Sequence, residues 1–141
     1  MTAIAYRRGT MAADSLTVFG DIKAHDPNKV RVVRGHLVGV AGADTPSDAA
    51  FDRWFFGKKS GPTTPLAGDF TALVITPEKK ILLIDSRANI NPLNGSFWAI
   101  GAGADVCLGA MDLGASARRA VEAAIRWREG CGGRVYTVRL P

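Results

Sequence analysis

At 141 residues, 47% of them hydrophobic, the chain is long enough to bury a core and too apolar for a disordered tail, so one domain spanning 1–141 is expected. Its net charge of +5 is spread over the pairs Arg7-Arg8, Lys58-Lys59, Lys79-Lys80 and Arg118-Arg119 without interleaved aromatics, which reads as solvated surface and argues against a nucleic-acid module. No apolar run approaches the roughly 18–20 residues that cross a bilayer and no secretory leader is legible, so no membrane partner and a cytoplasmic location are expected.

Residues 2–7 read as a strand, Gly9 turns the chain, and residues 10–15 read as a second strand with Asp14 near its end. Residues 21–28 are polar and contain Pro27. Residues 29–34 then alternate, Gly35 turns, and residues 36–41 form a strand apolar on both faces. After Gly42-Ala43-Asp44, either Thr45 or Ser47 can cap a helix running through Lys58, with Ala50, Phe51, Trp54 and Phe55 on one face. Residues 60–69 read as a loop, and residues 70–76 and 80–85 as a strand pair around Pro77-Glu78-Lys79.

Residues 89–95 are turn-rich, and 97–100 read as a strand. Residues 104–113 form a helix closed by Gly114. A further helix, 117–129, sets Ala117, Ala120, Val121, Ala124 and Ile125 against a face of Arg118, Arg119, Glu122, Arg126 and Glu129. The small face suits close approach to a neighbouring layer and is compatible with packing between copies of the chain. Gly130 to Gly133 break this helix, and residues 134–140 alternate as a final strand. Strands, helix, strands, two helices and strand favour mostly antiparallel sheets with helices outside rather than a doubly wound parallel sheet.

Few features carry chemistry. Thr2 follows Met1; a threonine hydroxyl is a weak nucleophile, but a free α-amino group titrates near ~7.7–8.0, so an N-terminal threonine can supply both nucleophile and base. Met-Thr is also a commonplace way to begin, and only downstream partners give the position weight. Gly101-Ala102-Gly103 before a helix lacks the third glycine of a dinucleotide fingerprint, Val106 standing in its place, so close packing is expected and no cofactor. His25 and His36 are isolated and read as surface residues. Cys107 and Cys131 lack metal-ligand spacing, so no metal is expected, and Cys107 reads as a buried structural thiol. Trp54, Trp98 and Trp127 read as anchors of helix-on-sheet packing.

The order and spacing of Thr2-Ala-Ile-Ala-Tyr6, Met11-Ala-Ala-Asp-Ser15, Asn28-Lys-Val30, Gly39-Val-Ala-Gly42, Ala99-Ile-Gly-Ala-Gly103, Gly109-Ala-Met111 and Gly132-Gly133 are specific where each motif alone is weak. Nearly end to end, the chain resembles N-terminal nucleophile hydrolases of the proteasome β-subunit type, especially the short proteasome-like proteins of bacteria and tailed phages. The resemblance implies an α+β fold, a four-layer αββα sandwich of two mostly antiparallel sheets with a reduced set of helices. It implies Thr2 as nucleophile with its freed amine as base, Asp14 and Lys29 as a supporting charge pair, and the Gly42 backbone N–H as oxyanion donor. A lysine ammonium beside the threonine oxygen favours the alkoxide, and Asp14 would orient it.

Two positions depart from the family's pattern: Ala102 stands where active relatives carry a serine, and Arg128 where they usually carry an aspartate. Both groups normally orient the threonine amine, and an arginine near that base opposes its protonation. Cys131 replaces a usual Ser or Thr and keeps a weak donor. Two readings follow: a threonine-type hydrolase acting on peptide substrates once Met1 is removed, or a subunit that keeps the fold and has lost the chemistry, with a structural or assembly role. With Met1 retained Thr2 has no free amine. The family resemblance implies a homo-oligomer, and a phage relationship would make phage structural proteins and a virion location a form of the second reading.

Overall fold

The computed structural model describes residues 1–57 and 64–141. Strands β1 (Ala3–Arg7) and β2 (Thr10–Ala13) form the opening hairpin, closed by Arg8 and Gly9 at φ 50° and 78°, the positive values that let a two-residue turn follow the strand twist. A second hairpin follows, β3 (Leu16–Phe19) and β4 (Ile22–His25), turning at Gly20. Neither strand is among those read from the sequence, which marks residues 21–28 only as polar. The hairpin's apolar side chains Phe19 and Ile22 are 68% and 71% exposed, so no burial pattern marks it in sequence.

Strands β5 (Val30–Val33) and β6 (His36–Asp44) make the next hairpin, and helix α1 (Asp48–Phe56) starts at Ser47, whose side chain accepts a bond from Ala50 N at 3.2 Å. The expected helix end at Lys58 and the start of the expected loop at Ser60 lie outside the described residues. Strands β7 (Asp69–Ile75) and β8 (Ile81–Asp85) pair as expected. Where turns alone are expected, β9 (Ile90–Leu93) pairs with β8; it is the edge of its sheet, where Pro92 costs little because one side of the strand needs no donor. Strand β10 (Phe97–Gly101), helices α2 (Ala104–Asp112) and α3 (Ala117–Trp127), and β11 (Tyr136–Arg139) complete the order.

The strands form antiparallel sheets in the orders β10-β1-β2-β11 and β5-β6-β7-β8-β9, beside the β3-β4 hairpin. Side-chain alternation sorts the layers. From the four-stranded sheet, Ala3, Ala5, Ala12 and Ala99 face α2 and α3, while Ile4, Tyr6, Met11 and Ile100 point between the sheets onto Leu37, Leu73, Ile75 and Ile81. The other face of the five-stranded sheet sets Val38, Ala72, Val74 and Ile84 against Phe51 of α1. Helices, sheet, sheet and helix make the expected four-layer αββα sandwich, with a single described helix on one outer face.

Two expectations need correction here. The small face of α3, Ala117, Ala120, Val121 and Ala124, is fully used inside the chain against α2 and the alanine face of the sheet, so it offers nothing to another copy. Trp127 anchors no packing: it is 76% exposed at the end of α3. Trp54, by contrast, packs edge-on to Phe70 and donates to Thr64 O at 2.6 Å.

Candidate active site

Thr2 immediately precedes β1, a central strand of its sheet, and is held by backbone on its own sheet and the start of α2. Gly103 N donates to the Thr2 carbonyl at 3.2 Å, and a Cβ on Gly101, at φ 92°, would stand 2.2 Å from that same oxygen. A Cβ on Gly103 would meet Ala3 Cβ at 2.8 Å and Ala124 Cβ at 2.9 Å. The two glycines of the Gly-Ala-Gly turn are therefore required by close approach, as expected, and they seat the threonine.

Asp14 leaves β2 beside the start of β1. It is 1% exposed and accepts three bonds: Ala3 N to Oδ1 at 3.0 Å, Gly132 N to Oδ2 at 3.0 Å, and Lys29 Nζ to Oδ1 at 3.1 Å. A carboxylate so deep is stable only as an ion with such partners. Lys29, whose side chain is 8% exposed, comes in just before β5 from the opposite sheet. Its ammonium lies 2.6 Å from Leu16 O, 3.1 Å from Asp14 Oδ1, 3.3 Å from Met1 O and 3.4 Å from Thr2 Oγ1. An ammonium has three N–H groups for these four acceptors. The two short contacts take two of them, and Met1 O and Thr2 Oγ1 compete for the third.

Gly42 sits where the β6–β7 register shifts between Ala41 and Asp44, at φ 153°. A Cβ there would stand 2.3 Å from Asp69 O and 2.6 Å from Phe70 Cα, both backbone of β7, so only glycine fits. The bulge takes Gly42 and Ala43 out of the regular ladder, and both line a cleft of about 570 Å³ with Thr2 and Lys29. Arg31 also lines the cleft, but its charge is occupied by Asp52 Oδ2 at 2.7 Å and Asp48 Oδ1 at 3.3 Å.

The structure thus brings Thr2, Asp14, Lys29 and Gly42 to one end of the seam between the sheets. Sequence reasoning does not assign roles to the Leu16 carbonyl or the Gly132 amide, which no side-chain pattern could reveal; only the Gly132-Gly133 motif hints at the second. The two departures from the family pattern touch each other: Arg128 Nε donates to Ala102 O at 3.0 Å and its terminal nitrogen pairs with Asp105 Oδ2 at 3.0 Å. The Met1 side chain fills the space over Gly130 beside them. Neither Ala102 nor Arg128 offers a side-chain acceptor.

Both thiols are buried and free. Burial, ahead of neighbouring negative charge, pushes Cys107 up to about 12, and its Sγ donates to Ala120 O at 3.5 Å, as a structural thiol would. Burial likewise raises Cys131, keeping it a thiol, against the small gap at Gly103. His25 is exposed, and His36 is half-buried with a ring nitrogen 2.8 Å from Arg34 O. Among the described residues no three His, Cys, Asp or Glu side chains gather as metal ligands would, and no helix is long and apolar enough to cross a membrane.

No protein-family model and no curated protein matches the chain. Solved structures do. Thiobacillus denitrificans BPH, alone and in complex with epoxomicin, superposes at TM-score 0.68 with 20% identity, over 99% of this chain and 98% of that one. Eukaryotic HslV from Trypanosoma brucei superposes at TM-score 0.66 with 16% identity, over 96% of this chain and 97% of that one. Both neighbours are proteasome-type N-terminal nucleophile hydrolase subunits, and the chain has their fold.

Proposed function

We propose that the chain, once Met1 is removed, is a threonine-type hydrolase that cleaves peptide bonds through an acyl-enzyme. The observation that carries this is the buried Lys29 ammonium, fixed by Asp14 and the Leu16 carbonyl and placed 3.4 Å from Thr2 Oγ1. Loss of Met1 removes the competing carbonyl, so the third N–H turns to Oγ1, and it frees the Thr2 amine. The amine takes the hydroxyl proton as Oγ1 attacks the substrate carbonyl carbon, with the Gly42 N–H facing the developing oxyanion. Collapse breaks the peptide C–N bond and the leaving amine takes the proton; water then attacks the ester with the Thr2 amine again as base, the C–Oγ1 bond breaks to release the acid, and the amine returns the proton to Oγ1. That a BPH structure holds epoxomicin supports choosing an N-terminal-threonine electrophile as probe.

The test combines intact mass with covalent labelling. Protein lacking Met1 should form a one-to-one adduct with an epoxyketone peptide, lost in Thr2→Ala. A chain that retains Met1 in every preparation, or a processed chain that takes no adduct, refutes the hydrolase reading.

One observation favours the second reading, a subunit with a structural role. Arg128, Ala102 and Asp105 are tied to one another on the amine side of Thr2, where the family pattern has acceptors. A processed protein that assembles and takes no adduct meets that reading. In either case assembly with copies of the chain is expected, and Phe19, Ile22, Leu113 and Trp127 are among the apolar residues exposed for it. Light scattering at the 14.9 kDa of a single chain at all concentrations would refute assembly.

A further inference from the structure

At the end of β1 opposite Thr2, about 16 Å away at ~3.3 Å per residue, lies a cavity of about 330 Å³ lined by Arg7, Arg8, Arg118 and Arg139 together with Thr10 and Ser116. Arg7 and Arg8 come from the β1–β2 hairpin, Arg118 from the first turn of α3, and Arg139 from the last strand, so residues scattered in sequence converge here. No Asp or Glu lines the cavity, and none of the four arginines is in an ion pair among the described residues.

The site is built rather than merely charged. Arg7 NH1 donates to Met111 O at 2.9 Å and Ala115 O at 2.8 Å, and its guanidinium lies over the Phe97 ring at 5.5 Å, so this cation is fixed before any ligand arrives. Its Nε is buried and unpartnered among the described residues, an orphan donor of the kind folded proteins rarely leave. Ser116 is the N-cap of α3, whose first-turn amides add partial positive charge to the same wall. A second cavity, of about 460 Å³, shares Arg8, Thr10 and Arg139 and adds Lys79.

We propose that this cavity binds a phosphate chain, either free or carried by a nucleotide. Four guanidiniums lining one concave site repel one another, and a multiply charged anion relieves that repulsion. Planar forks pair two-to-two with phosphate oxygens, and the run of cations into the second cavity matches a ligand longer than one phosphate.

The experiment titrates the full chain with tripolyphosphate, ATP, inorganic phosphate and citrate at fixed ionic strength, by calorimetry and by thermal melting. Tripolyphosphate should bind one per chain and raise the melting temperature, more tightly than phosphate or citrate. ATP equal to tripolyphosphate places recognition in the phosphate chain alone; tighter ATP adds the nucleoside. Arg118→Ala and Arg139→Ala, both at exposed positions, should each weaken binding by about tenfold or more. The charge-matched pair Arg126→Ala and Lys23→Ala, exposed and away from the cavity, should leave it unchanged. Three results overturn the proposal: no saturable binding, citrate as tight as tripolyphosphate, or equal weakening by the off-site variants. Thr2→Ala should bind normally, which separates this site from the hydrolase reading.

Discussion

The Asp14–Lys29 pair should show an asymmetry that its hydrogen bonds dictate. Removing one member of a buried ion pair costs about 3–5 kcal/mol because the other charge is left in place. Lys29→Met leaves Asp14 with the amides of Ala3 and Gly132, both at 3.0 Å, so its cost belongs at the low end of that range. Asp14→Ala leaves the ammonium the Leu16 carbonyl but no counter-charge, and also strands the Ala3 N–H, in a residue 0% exposed, which adds about 1–3 kcal/mol. The total, roughly 4–8 kcal/mol, is comparable with the whole stability of a domain this size, about 5–15 kcal/mol. Urea unfolding of both variants and the double variant measures this. Asp14→Ala should be the more damaging single change, and the double should cost no more than Asp14→Ala, because deleting Lys29 removes the stranded charge. Equal costs for the singles, or a double equal to their sum, would refute the reasoning.

Gly42→Ala drives a methyl group into the β7 backbone, which Phe70 packing holds in place, so a loss of about 2–4 kcal/mol in urea unfolding is expected along with loss of Thr2 labelling. Alkaline pH should destabilise the fold through Cys107: its folded value of about 12 exceeds the ordinary 9.0, so the unfolded chain releases the proton first and stability present below pH 9 is lost as pH rises toward 12. The slope, at most about 1.4 kcal/mol per pH unit from this group, should flatten in Cys107→Ala. Arg128→Ala breaks an exposed ion pair and an exposed hydrogen bond to Ala102 O, and should change stability by under about 1 kcal/mol. Ala102→Ser with Arg128→Asp should raise the rate of Thr2 labelling in processed protein by about tenfold or more; an unchanged rate would show that amine orientation is not limiting.

The layers were legible because burial writes itself into alternation: Ala3 and Ala5 against Ile4 and Tyr6 already separate a helix-facing from a sheet-facing side. What stayed hidden obeys no burial pattern. The β3–β4 hairpin exposes Phe19 and Ile22, and β9 tolerates Pro92 because it is an edge. In the site, the side chains Thr2, Asp14 and Lys29 could be proposed from their types and spacing, whereas the Leu16 carbonyl and Gly132 amide belong to the backbone, which every residue supplies alike. The arginine cavity is hidden from the sequence for a related reason. Arg7-Arg8 and Arg118-Arg119 look like solvated pairs one at a time, and only the sheet order brings β1, β2, β11 and α3 to a common corner.

The site divides into two halves that the sequence treats differently. Every group that the proposed hydrolase would use at the threonine oxygen lies at this site: the ammonium, the carboxylate that holds it, the carbonyl that aims it, and a bulge glycine in the shared cleft. The positions that the family resemblance assigns to the amine hold Ala102 and Arg128 instead, and Arg128 donates to the Ala102 carbonyl and to Asp105. Loss of chemistry without constraint would have no reason to spare the buried half more than the exposed half, except that Asp14 and Lys29 also stabilise the fold. The stability measurement on that pair therefore bears on function as well. If Asp14 and Lys29 contribute as calculated, their retention is explained by folding alone, and the reactivity of Thr2 after removal of Met1 becomes the one observation that separates an enzyme from its structural relative.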